Sequence, residues 1–202
     1  MALIDGHTHI FAPGQIARRA ELCARDATFA EMYADPGAKM ADAPALLAAL
    51  DDAGIDAAVV AGFAFSAERD VAEQNEYILA AAAESQGRLL PLATVNLALP
   101  RPIRAADRML VHGALGFGEM RPHNQGWKPS GPAARRFHAL ASETGAVLLW
   151  HVTEPVGHLY PGKGGGISAV EIARIAEAFP ALRMVAAHMG GGLAFFLQMP
   201  EL

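Results

Sequence analysis

Six short apolar runs, separated mostly by stretches of helical periodicity, constrain this chain more than any single motif. The runs fall at residues 3–10, 57–63, 89–95, 115–120, 147–151 and 183–188. Apolar residues recur at helical spacing over 42–54, 66–85, 104–111, 132–144 and 168–179. This order predicts an α/β fold with a mainly parallel sheet and right-handed crossovers, because each helix returns the chain to the end where the next strand begins. The stretch from Ala57 to Phe63 is apolar throughout, as in a strand covered on both faces. Asp42 and Pro44 mark a helix start, Gly54 and Gly145 mark helix ends, and Ser168 with Glu171 has capping-box spacing. Pro91 weakens the third run locally. Residues 11–41 interrupt the alternation with Pro13, Gly14, Pro36 and Gly37, and one helix is expected there near 16–25. A connection this long reads as a lid or an insertion.

Composition narrows the function. A chain of 202 residues, 52% of them hydrophobic, predicts one domain over 1–202 with a sizeable core. Its 16 basic and 21 acidic residues give a net charge of −5 without a basic stripe, which argues against a nucleic-acid partner. Cys23 stands alone, so a disulfide framework and a thiolate metal site are both excluded, and a cytoplasmic location is expected. No basic leader precedes an apolar stretch, and no run approaches ~18 apolar residues, so a membrane partner is not expected.

Histidines end three of the runs. His7 and His9 are two apart on the first and share a face. His151 and His188 close the fifth and sixth. Parallel α/β folds, whether barrels or open sheets, bind ligands at the C-terminal ends of their strands, where His9, Glu119, His151 and His188 all fall. Glu119, Arg121 and His123 alternate along one stretch and are expected to share a face. Glu119 is expected to form an ion pair with Arg121 or a neighbour, since a buried carboxylate needs a partner. Arg121 suits a substrate carboxylate. The polar, glycine-rich loop 151–166 forms the mouth of such a site, and its His158, Tyr160 and Lys163 are expected to orient an anionic small-molecule substrate. The Gly-Lys-Gly-Gly-Gly string in this loop lacks phosphate-loop spacing. Asp5 is expected to orient a ligand imidazole, and His112 and His138 to be exposed or half-buried on helices. Cys23, Met109, Met184, Met189 and Met199 read as apolar filler.

With His7 and His9 on the first strand, His151 on the fifth and His188 on the sixth, residues 2–199 resemble the amidohydrolase superfamily of metal-dependent hydrolases. The nearest likeness is to its aminocarboxymuconate-semialdehyde decarboxylase branch. The resemblance implies a (β/α)8 TIM-type barrel, of which about six βα units are present. It implies His7, His9 and His151 as metal ligands and His188 as the acid/base histidine. Glu119 matches the strand-four carboxylate that bridges two metals in some branches. The implied cofactor is a divalent metal; imidazole ligands suit zinc, with manganese or iron as alternatives. The implied reaction is hydrolysis of a small, carboxylated substrate by a metal-activated water, with non-oxidative decarboxylation as the alternative. The superfamily's strand-eight aspartate has no counterpart, because no Asp follows Asp107. The expected domain is therefore an incomplete barrel, and a catalytically incompetent metal-binding fragment is a third reading. An open sheet leaves strands one and six as edges, where association into a homo-oligomer is expected.

Overall fold

The computed structural model describes residues 2–196 and 198–199. Its strands are β1 (Ile4–His9), β2 (Ala57–Ala61), β3 (Leu89–Ala93), β4 (Gly116–Met120), β5 (Val147–Trp150) and β6 (Arg183–Ala186). They pair in chain order, and every neighbouring pair is parallel. In a flat sheet, β1 and β6 would lie about 24 Å apart at the usual strand spacing. The rings of His7 and His188, carried at these two edges, have centroids 5.8 Å apart. The sheet therefore curls into a partial barrel, and this decides between the barrel and the open sheet. Pro91 lies inside a paired stretch, opposite Val60, and its carbonyl accepts from Leu115 N.

Helices cover the outer face. After β1 come α1 (Pro13–Ala17), α2 (Arg19–Arg25) and α3 (Ala27–Tyr33), then α4 (Ala43–Ala53), α5 (Glu68–Glu84), α6 (Pro102–Val111), α7 (Pro132–Thr144), α8 (Ala169–Ala178) and, after a 3-10 turn at His188–Gly192, α9 (Leu193–Phe196). Local chemistry explains their ends. The Asp42 carboxylate accepts from Ala45 N at 2.9 Å to start α4, and Gly54 closes that helix at φ 67°. Ser168 and Glu171 form the expected capping box on α8. Outward-facing Phe117, Leu148 and Trp150 pack with Phe137, Ile172 and Ile175 in one core layer, and Ile10, Ala58 and Val60 pack with Leu50 and Ile78 in another. The inner side is lined by smaller groups, Ala61, Leu92, Leu149 and Ala187.

Residues 11–41 correct the sequence expectation in two ways. They hold three short helices rather than one, because Arg18 and Asp26 each break the run; the Asp26 carboxylate then caps α3 by accepting from Phe29 N at 3.0 Å. They are also packed down. Phe11, Leu22 and Phe29 share a buried cluster with Phe63, Phe65 and Val71, and Cys23 lies against it. Phe11 N donates to Ala41 O at 2.8 Å, which ties the two ends of the segment together. The Gln15 amide donates to Asp70 O, and Arg18 meets Glu73 with two bonds of 2.9 and 2.7 Å.

Three smaller expectations also change. His138 is buried, 1% exposed, because α7 presses it between Trp150 and Phe179. Met189 is 75% exposed, and Met199, also beyond β6, is exposed too; Met109 and Met184 do pack against the core. His112 caps α6 and is exposed.

Candidate active site

Glu119 is the centre around which the strand ends converge. Along β4, Phe117 and Met120 both pack into the outer core although they are three residues apart. Simple alternation would send Glu119 outward with Phe117. The β4–β5 register shifts between Phe117 and Met120, and Glu119 turns to the inner side. Two glycines allow this approach: a Cβ on Gly116 would lie 2.0 Å from Val147 O, and one on Gly118 would lie 2.6 Å from the Leu149 Cβ.

Four imidazoles surround the buried carboxylate. Oε1 lies 2.9 Å from His151 Nδ1 and 3.1 Å from His188 Nε2. Oε2 lies 3.5 Å from His7 Nε2 and 3.4 Å from His9 Nε2. Burial pushes the Glu119 carboxyl up, but the surrounding imidazoles, led by the hydrogen-bonded His151 and His188, outweigh it and hold the group below the ordinary carboxylate range. The same contact raises His188. Of the expected ion-pair partners, Arg121 or a neighbour, the described contacts of Glu119 are with neighbouring histidines and not with Arg121.

The donor set fits a divalent ion. A tetrahedral ion with bonds of about 2.0–2.2 Å needs donors about 3.3–3.6 Å apart. His7 Nε2 and His9 Nε2 are 3.0 Å apart, and each lies 3.4–3.5 Å from Glu119 Oε2, too far for good hydrogen bonds and close to that spacing. A second group, Glu119, His151 and His188, shares the same carboxylate. His151 differs from the expected ligand, because both of its ring nitrogens face acceptors, Glu119 Oε1 and Gly162 O at 2.7 Å. Asp5 does not reach a ring; its carboxylate accepts from His7 N at 3.1 Å and so fixes the strand backbone instead.

The cluster lies in a cavity of about 320 Å³. Arg121 and Tyr160 line it, together with Met32, Tyr33, Phe63 and Ala64. Phe63, at the end of an apolar run, was open to inference from strand position. Tyr33 was not, since its segment has no periodicity. Three expected residues stay outside. His123 is carried off by the turn that follows Arg121, and its Nε2 lies 3.5 Å from Glu171, so the stretch does not continue as one extended face. Lys163 turns back to Glu154 at 3.2 Å and to His158 O. The His158 ring packs against Tyr160, with centroids 6.0 Å apart. Arg121 is itself occupied, donating from Nη2 to the carbonyls of Gly162 and Gly164, and burial lowers its pKa.

Imidazoles and a carboxylate gathered at the C-terminal ends of a curled parallel sheet define a site of the α/β-barrel enzyme class. The chain belongs to the amidohydrolase family, whose sequence profile matches residues 4–202. No curated protein matches it. Among solved structures it is similar to 5-carboxyvanillate decarboxylase from Sphingomonas paucimobilis, with TM-score 0.73 and 20% identity over 98% of this chain and 70% of that one. The 5-carboxyvanillate decarboxylase from Novosphingobium aromaticivorans, solved with manganese and 3-methoxy-4-hydroxy-5-nitrobenzoic acid, gives 0.73 at 17% identity, covering 98% and 68%. The 2,6-dihydroxybenzoate decarboxylase from Rhizobium gives 0.66 at 15%, covering 98% and 69%.

Proposed function

We propose that this chain's site performs non-oxidative decarboxylation of a small carboxylated substrate, with a divalent metal held by His7, His9 and Glu119. Zinc suits the imidazole-rich set, with manganese as the alternative that one fold-matched neighbour contains. When bound, the ion would supply Lewis acidity at a substrate oxygen. One observation favours decarboxylation over hydrolysis: Glu119 Oε1 meets His151 and His188, and Oε2 faces His7 and His9 at metal-ligand spacing, so among the described cavity residues no carboxylate oxygen is left as a general base for water. Decarboxylation needs a proton donor instead. His188, half-exposed at the cavity, has Nε2 3.1 Å from Glu119 Oε1, a contact that favours a proton on that nitrogen. As the carbon–carboxylate bond breaks, CO2 leaves, the electron pair stays on the substrate carbon, and that proton quenches it. The fold-matched decarboxylases support this reading. A single cysteine supports a cytoplasmic setting.

Hydrolysis remains the second reading, favoured by the family to which the chain belongs. The two separate by product. Manganese-loaded protein is incubated with hydroxybenzoates and, in parallel, with neutral esters and lactones. Release of CO2, reduced about 10²–10⁴-fold in His188→Asn, is expected. Turnover of the esters or lactones without CO2 would reverse the order. Elemental analysis after dialysis should find the ion in wild type and lose it in His9→Ala and Glu119→Gln. Retention by both variants would dismiss the ligand set.

A further inference from the structure

The cavity has a polar group that neither the sequence pattern nor the proposed reaction uses. Lys163 points to Glu154, the Tyr160 hydroxyl donates to Glu154 at 3.0 Å, the Thr153 hydroxyl donates to Lys163 O, and Arg121 Nη2 is held by two loop carbonyls. Outside the imidazole cluster and the buried Arg121 Nε, which has no partner, the Tyr33 hydroxyl is left among the described cavity residues, influenced by Glu119 and Arg121 through their charges and by no hydrogen bond. Its ring is fixed from behind. It meets Phe11 edge-on at 5.1 Å, Phe29 at 4.8 Å and Phe63 edge-on at 5.9 Å. Phe11 and Phe29 are buried in the cluster that anchors residues 11–41, so the orientation of Tyr33 is set by core packing rather than by a loop's average.

We infer that Tyr33 is a specificity-determining residue whose hydroxyl donates a hydrogen bond to an oxygen substituent on the body of the substrate, away from the carboxylate. The inference rests on the carboxylate reading above, with the substrate's anionic end taken to meet the ion at the histidine–glutamate cluster. The remaining walls, Met32, Phe63 and Ala64, are apolar and suit a flat hydrocarbon body. Burial pushes the phenol up to about 12, so at neutral pH it keeps its proton and acts as a donor. A donor aimed at one substituent discriminates more sharply than an apolar wall, because a ligand lacking that oxygen leaves the hydroxyl unpaired.

The test compares wild type with Tyr33→Phe by calorimetry, using benzoate and its 2-, 3- and 4-hydroxy isomers as probes on the full manganese-loaded chain. Phenylalanine keeps the ring and its packing, so the melting temperature should stay unchanged. At least one hydroxybenzoate should bind about tenfold more weakly to the variant, while benzoate affinity stays the same. Equal affinity for all four probes in both proteins, or a uniform loss across all four, would overturn the inference while leaving the carboxylate reading intact. Failure of wild type to bind any probe would overturn the carboxylate reading and this inference with it.

Discussion

Burial of an ionisable side chain has opposite consequences at two positions in this protein, and the difference is the company each keeps. Glu119 is surrounded by four nitrogen donors and stays charged. His138 is packed among Phe137, Trp150 and Phe179, its Nε2 has no partner, and burial lowers its pKa to about 4. This depressed pKa fixes a pH dependence. Above pH 6.5 His138 is neutral in both the folded and the unfolded chain, and its contribution to stability is unaffected by pH. As pH falls from 6.5 toward 4, the unfolded chain takes up a proton that the folded one excludes, so stability is lost across that window. The loss amounts to about 3 kcal/mol at the low end. His188, raised by Glu119, acts in the opposite sense, with its contribution strongest at low pH, so the two must be separated by substitution. His138→Leu fills a similar space without titrating. Denaturant midpoints from pH 7 to 4 should therefore fall less steeply in the variant than in wild type, and parallel profiles would refute the assignment.

At the scale of elements, the β4–β5 pair shows what sequence can and cannot reveal. The six strands, the α4 and α8 caps and the closing glycines of α4 and α7 follow from local rules, because periodicity and capping are written in neighbouring residues. His7, His9, His151 and His188 were legible as a site for the same reason: each ends an apolar run. The inward turn of Glu119 depends on a register shift between two strands, which no local pattern encodes, and His123 was misplaced because the alternation was extended past the real strand end at Met120. Lys163 and His158 were likewise unreadable, since a glycine-rich loop has many paths of similar cost and tertiary contacts select one. The glycines of β4 make the packing testable. A methyl at Gly116 meets the backbone of Val147, which cannot swing away as a side chain can. Gly116→Ala should cost at least the 1–3 kcal/mol typical of overpacking, read from the shift in denaturant midpoint. Gly6→Ala, with open space around the new methyl, should cost less, and equal effects at the two positions would contradict the close approach of the strands.

Over the whole molecule, curling brings the site together but leaves a liability. The sheet order runs from β1 to β6 without a β1–β6 pair, so among the described residues both edge strands present unpaired backbone groups. These edges also carry apolar surface: Ile4 is 51% exposed and Val185 46% exposed, and Leu3, Phe195 and Phe196 are exposed nearby. On β6, Arg183 is the one charged residue, set two positions before Val185, and it blunts only the start of the strand. Exposed apolar residues on an open edge favour pairing with another chain, because association buries both the side chains and the unpaired amides. The 202-residue chain is therefore expected to self-associate, with sedimentation giving a weight-average mass above 21.2 kDa that rises with protein concentration. Val185→Lys places a charge on the open edge and should shift the equilibrium toward the single chain. A wild-type chain that sediments at 21.2 kDa throughout the concentration series, or a Val185→Lys variant that associates as strongly as wild type, would show that these edges are not the contact surface.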